Sequence, residues 1–136
     1  MVIDVDTPVE IETLISVLTL GLCAALENQA LTVDEASGYL FSPYTMSLLK
    51  RVNASPELVH LIHLGTELED FESLFPARLP DRLNMIKALA VSILQAQPER
   101  GEHEYREHWF QDIPRLVPTP LPDPLQKYPP DETVNR

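Results

Sequence analysis

"TPVEIETLISVLTLGLCAALEN", residues 7–28, decides the reading of this chain. Thr7 stands before Pro8, and Glu10 falls at the third helical position. A threonine N-cap, a proline at the first helical position and a glutamate at the third form a capping box. Its hydroxyl and carboxylate satisfy backbone N–H groups that a helix start leaves without partners. The spacing predicts a helix from here to about Asn28. Ile11, Leu14, Ile15, Leu18, Leu22 and Leu26 form one apolar stripe, and Val17, Leu20 and Cys23 lie elsewhere on the circumference. A helix apolar on nearly all sides is a central one. The run Leu14 to Leu26 is too short to span a bilayer and contains Ser16, Thr19 and Gly21, so a core helix is expected.

The same start signals recur downstream. "TVDE" at 32–35 repeats the capping box and opens a short helix through Tyr39 or Leu40. "SPYT" at 42–45 and "SPEL" at 55–58 each offer a serine N-cap followed by proline. The first of these helices should run to about Val52. The second should end at Leu64, with Gly65 free to take a left-handed cap. "TELE" at 66–69 reads as a third capping box, with Thr66 as N-cap. Leu68, Phe71, Leu74 and Phe75 define the inward face of that helix, and Pro76 closes it. The last long helix begins near Pro80 or Asp81, carries Leu83, Ile86, Leu89, Ala90 and Ile93 at helical spacing, and stops before Pro98. "VIDV" at 2–5 alternates, but one short segment cannot make a sheet, so no strand is expected. The fold class read from these signals is all-α. It is a single compact bundle of about six helices, two long ones flanking shorter ones, with a Pro-rich C-terminal tail.

Proline marks the boundary. Residues 1–97 hold five of the thirteen prolines and residues 98–136 hold eight. The chain therefore divides into a helical domain, 1–97, and a Pro-rich tail, 98–136. "ERGEHEYREHWFQDI" at 99–113 has the spacing of one short amphipathic helix, about 99–111, with Tyr105, Trp109, Phe110 and Ile113 on one side. An extended segment follows, strapped across the domain by Leu116, Leu121 and Leu125.

Charge narrows the function. The net charge is −11, from 21 acidic and 10 basic side chains, and the first 49 residues contain seven carboxylates and no Lys or Arg. Nucleic acid and anionic membranes need clustered cations, so neither is an expected partner. An acidic surface attracts basic proteins. The single cysteine, Cys23, excludes an intrachain disulfide, and no basic segment precedes an apolar run at the N-terminus, so a cytoplasmic location is expected.

Candidate chemistry concentrates at 60–72. His60 and His63 lie three apart, opposite the side marked by Leu58, Val59 and Ile62. A stable metal site needs a third or fourth ligand, and there is no HExxH and no cysteine pair. Glu67 and Asp70 follow one edge of the next helix, with Glu69 and Glu72 on its far side. Several sit in the first turn, where the helix dipole favours anions. Glycosidase-type chemistry needs two carboxylates across a cleft. An exposed acidic ridge is the better description. GxGxxG, GxxxxGK[ST] and GxSxG patterns are absent. Cys23, in an apolar helix with no basic residue before Lys50, is a packing residue. No catalytic residue, cofactor or metal is expected.

"YLFSPYT" at 39–45 together with "IHLGTELEDFESLFP" at 62–76 resembles an uncharacterised bacterial family, the domain of unknown function numbered 3969. The resemblance covers roughly residues 10–95 and leaves out the tail. It implies a small helical bacterial protein and transfers no activity to any residue.

These observations favour a binding protein over an enzyme. Its concrete form is an acidic bacterial immunity or inhibitor protein that neutralises a basic toxin or effector domain by direct contact. Glu67, Asp70 and Glu72 are the leading contact residues, with Asp34 and Glu35 beside them. Trp109 and Tyr44 are the candidate apolar anchors. Two alternatives stay open: a helical adaptor that forms a homodimer through an apolar face, and a small metal-dependent enzyme using His60 and His63.

Overall fold

A computed structural model describes residues 1–98 and 109–111 of the protein, and these are mostly helical with almost no strand. The helices are α1 (Pro8–Glu27), α2 (Val33–Tyr39), α3 (Pro43–Arg51), α4 (Pro56–Thr66), α5 (Leu68–Leu74) and α6 (Leu79–Gln95), with a 3₁₀ turn at Pro76–Arg78. Four starts follow the sequence signals. Thr7 Oγ1 accepts from the Glu10 N–H at 3.2 Å, Thr32 Oγ1 from Glu35 at 3.1 Å, Ser42 Oγ from Thr45 at 3.2 Å and Ser55 Oγ from Leu58 at 3.2 Å. The box at α2 is complete, since the Thr32 N–H donates to Glu35 Oε1 at 3.2 Å. At α1 the Glu10 carboxylate reaches one residue further back and accepts from the Asp6 N–H at 3.1 Å.

The start expected at Thr66 is not there. α4 continues through Gly65 and Thr66, and the Thr66 hydroxyl donates backwards to the His63 carbonyl at 2.6 Å. Glu67 alone separates α4 from α5 and makes no side-chain cap. Nor does Gly65 take a left-handed cap, because among the described residues no glycine has positive φ. The cause is tertiary: Leu64, Gly65 and Leu68 are buried, and the Phe41 ring lies on the bare Cα of Gly65. Staying helical keeps all three on the core side.

The core gathers Phe41 with Leu58, Leu61 and Ile62 of α4, Leu68 of α5, and Leu83, Ile86, Ala90 and Ile93 of α6. α1 packs chiefly on α6, and α4 lies against α3 and α6. α1 is turned differently from the expected stripe. Its wholly buried residues are Ser16, Thr19 and Cys23, with Glu12, Thr13, Leu14 and Leu26 nearly so, whereas Leu18 is 38% exposed. Glu12, Ser16, Thr19 and Cys23 recur at helical spacing, and small side chains on a line let a neighbouring helix approach closely. The polarity is partly accommodated: Thr19 Oγ1 donates to the Ile15 carbonyl at 2.8 Å, and Glu12 Oε1 accepts from the Ser55 N–H at 2.8 Å. Among the described residues Glu12 Oε2, Thr13 Oγ1 and Ser16 Oγ find no hydrogen-bond partner.

α1 is also longer than its most apolar run. Pro8, Val9 and Ile11 extend it at its start, together with Glu10, Glu12 and Thr13, and Glu27 ends it, giving 20 residues with a mean hydropathy of 1.8 over 18 of them. By length and composition it could cross a membrane, contrary to the expectation from residues 14–26. A buried core helix meets the same measure, and 44% of that window is buried here.

The chain divides into two compact units. The helices belong to the unit Val5–Trp109. The other contains a two-residue antiparallel ladder, β1 (Val2–Ile3) with β2 (Phe110–Gln111), in which Val2 faces Gln111 and Ile3 faces Phe110. The alternation at 2–5 thus finds a partner more than a hundred residues away, which no local reading detects. Phe110 and Gln111, expected at the end of a helix over 99–111, are strand instead. The rest of that helix and the strap through Leu116, Leu121 and Leu125 lie outside the described residues.

Candidate functional site

α2 (VDEASGY) and α5 (LEDFESL) pack on one another, and neither contains Lys or Arg. The Thr32 cap sets Asp34 and Glu35 in the first turn of α2, both exposed, with Glu35 Oε1 also accepting from the Thr32 hydroxyl at 3.1 Å. Glu69, Asp70 and Glu72 are exposed on α5. Anions in a first turn are favoured by the helix dipole, so Asp34 and Glu35 support α2 and Glu69 and Asp70 support α5 while facing water, and Glu72 lies beyond that first turn.

Glu67 stands apart from them. Its Oε1 lies 2.9 Å from His63 Nε2 and its Oε2 4.0 Å from Arg82 Nη2. Arg82 in turn covers the Phe71 ring, 4.3 Å above its centroid. Glu67 is therefore held by its neighbours, and the acidic surface is Asp70 and Glu72 together with Glu69. The sequence reading assigned Glu69 to capping Thr66, and loss of that cap leaves its carboxylate exposed.

Apolar side chains border these charges. Leu74 is 69% and Phe75 50% exposed, although helical spacing placed both inward. α5 stops at Leu74 and the chain swings into the 3₁₀ turn, so Phe75 rests against Phe71, with ring centroids 5.6 Å apart. Tyr39, the last residue of α2, is 66% exposed, and Tyr44, in the first turn of α3, 68%. Trp109 is half-buried. The sequence reading missed Tyr39. The cue was its place at the end of a helix too short to bury both sides.

A second feature lies between α3 and α4. A groove of about 760 Å³ has an apolar floor of Met46, Ala54, Pro56 and Val59, with Lys50, Asn53, His60 and His63 along its edge. The two imidazoles are exposed, with ring centroids 6.4 Å apart and planes tilted by 34°. Among the described residues no three His, Cys, Asp or Glu side chains converge as a metal-ligand set. Cys23 is far from nucleophilic: burial, reinforced by Glu27 and opposed by Lys87, pushes its thiol up to about 11. Lys87 and Glu27 form an ion pair at 2.5 Å.

The described residues thus define a mostly helical protein with an acidic surface and one basic-edged groove. The family model described as a protein of unknown function, DUF3969, matches residues 6–111, and the chain belongs to that family. The match reaches past residues 10–95 at both ends and takes in Phe110 and Gln111. No curated protein and no solved structure matches the chain.

Proposed function

We infer that this chain is a non-enzymatic binding protein that captures a basic protein partner by direct contact. The form we favour is a cytoplasmic bacterial immunity or inhibitor protein acting on a toxin or effector domain. This reading takes the helices as one compact bundle of about six, with α1 and α6 the two long members flanking the shorter ones. The observation that carries it is the pairing of α2 with α5, two helices without a cation that expose Asp34, Glu35, Glu69, Asp70 and Glu72. Such a field steers a basic partner and weakens with salt. Charge alone gives little affinity, so an apolar anchor must accompany it. Tyr39, Leu74 and Phe75 lie on the same two helices and their ends, while Tyr44 and Trp109 are the anchors read from sequence.

The test uses the basic product of a neighbouring gene as partner and stopped-flow association rates. Between low salt and about 0.15 M, where the Debye length falls to about 8 Å, the rate should drop steeply. Asp70→Lys with Glu72→Lys should slow association about tenfold at low salt, within the range of electrostatic steering, and leave helical circular dichroism unchanged. Rates indifferent to salt and to charge reversal would refute the reading.

A second reading, self-association, has its own observation. Val17 and Leu18 of α1 and Met85 and Val91 of α6 are exposed on two helices that pack together. The metal-dependent alternative draws on His60 and His63 alone among the described residues.

A further inference from the structure

We propose that the groove between α3 and α4 binds a small organic acid, an alkyl or aryl body on the apolar floor with its carboxylate held by Lys50. The sign of the charge makes this a site apart from the acidic surface. Lys50 is the first cation in the chain, after 49 residues without one, and with Arg51 it closes α3, where the helix dipole favours positive charge. Among the described residues Lys50 forms no ion pair. Glu67, at the His63 end of this edge, is engaged by His63 and Arg82. An incoming carboxylate therefore meets an ammonium group with no acidic competitor bound to it.

The rest of the edge supplies neutral donors. Asn53 holds a left-handed backbone, φ 55°, which asparagine tolerates better than most residues, and this turn carries the chain from α3 into α4. It lines the groove beside His60, whose imidazole offers an N–H in either tautomer. Below them Met46, Ala54 and Val59 are half-buried and make an apolar surface with a flexible thioether that adapts to different shapes. A volume of about 760 Å³ suits a small ligand, since such pockets run to roughly 300–1,000 Å³. An apolar floor with one cation at its edge matches an amphipathic anion. It would reject an amphipathic cation of the same length.

Calorimetric titration of the full chain with octanoate, octanol and octylammonium tests this. Octanoate should bind, octanol about tenfold more weakly for want of one charge-assisted hydrogen bond, and octylammonium not at all. Lys50→Gln should weaken octanoate about tenfold and erase its advantage over octanol, because the same bond is lost. Ala54→Glu should abolish binding by placing a carboxylate on the floor, and Arg78→Gln, which does not line the groove, should change nothing. Both groove positions border solvent, and circular dichroism checks that the variants fold. Absence of octanoate binding, equal binding of octylammonium, or octanoate affinity unmoved by Lys50→Gln would overturn the proposal. So would binding of a peptide with an apolar C-terminus where octanoate fails, which would assign the groove to a protein.

Discussion

Two glycines show how one residue type takes opposite roles. Gly65 lies inside α4 under the Phe41 ring, and a methyl group there would clash with the ring carbon Cδ1. Gly21 lies in α1 with nothing within 4 Å of where its Cβ would be. Gly65→Ala should therefore destabilise by about 1–3 kcal/mol, the usual penalty of overpacking a core. Gly21→Ala should stabilise by about 0.5–1 kcal/mol through helix propensity. Urea denaturation midpoints read both. Phe41→Leu in the Gly65→Ala background should cost less than Phe41→Leu alone, since the ring would no longer be seated well. Equal effects at the two glycines would mean that Phe41 does not pack on Gly65. This contact was illegible in the sequence. A glycine after an apolar run, followed by Thr-x-x-Glu, carries two local signals for a break, and only the distant phenylalanine reverses them. Cys23 was legible, because an apolar neighbourhood without cations already implied an inert, buried thiol.

At the scale of the element, the starts were written in the chain and the faces were not. The caps at Thr7, Thr32, Ser42 and Ser55 depend on residues three apart, so a local reading finds them. Thr66 has the same pattern, yet its hydroxyl serves the helix it ends. Thr7→Ala and Ser55→Ala should each cost about 1 kcal/mol, the loss of an N-cap. Thr66→Ala should cost no more than about 0.5 kcal/mol, the range of surface substitutions away from such features. Thermal melts of the three variants would separate these values, and a Thr66 effect as large as that at Thr7 would restore the helix start at 66. The inward face of α1 resisted reading for another reason. Apolar residues surround it, so periodicity does not choose a side. What chooses is the line of small residues Ser16, Thr19 and Cys23 and the anchoring of Glu12 on the Ser55 N–H, which depends on the start of α4 being nearby. The candidate site divides likewise: Asp34, Glu35, Asp70 and Glu72 were legible as exposed charges, whereas Glu67, Glu69, Leu74 and Phe75 changed roles once α4 and α5 met at a single residue.

For the molecule as a whole, charge and apolar surface make opposite demands on salt, and that separates the two readings of function. A chain of net charge −11 repels its own copies. Association with a basic partner gains from that charge and must weaken as salt screens it. Self-association through Val17 and Leu18 of α1 and Met85 and Val91 of α6 works against it. Any dimer formed there should be weak at low salt and strengthen as screening removes the repulsion, with most of the change complete by about 0.15 M, where charges beyond about 8 Å are screened. Sedimentation equilibrium across a salt series measures this. Leu18→Lys should hold the chain monomeric at every salt concentration, because it places a charge among the apolar side chains proposed to meet. It should lower the melting temperature only modestly, since Leu18 is 38% exposed in the monomer. A mass that falls with added salt, or self-association that survives Leu18→Lys, would remove this face as the contact. A mass that stays monomeric throughout would remove the self-association reading and favour the proposed salt-weakened capture of a basic partner through Asp70 and Glu72.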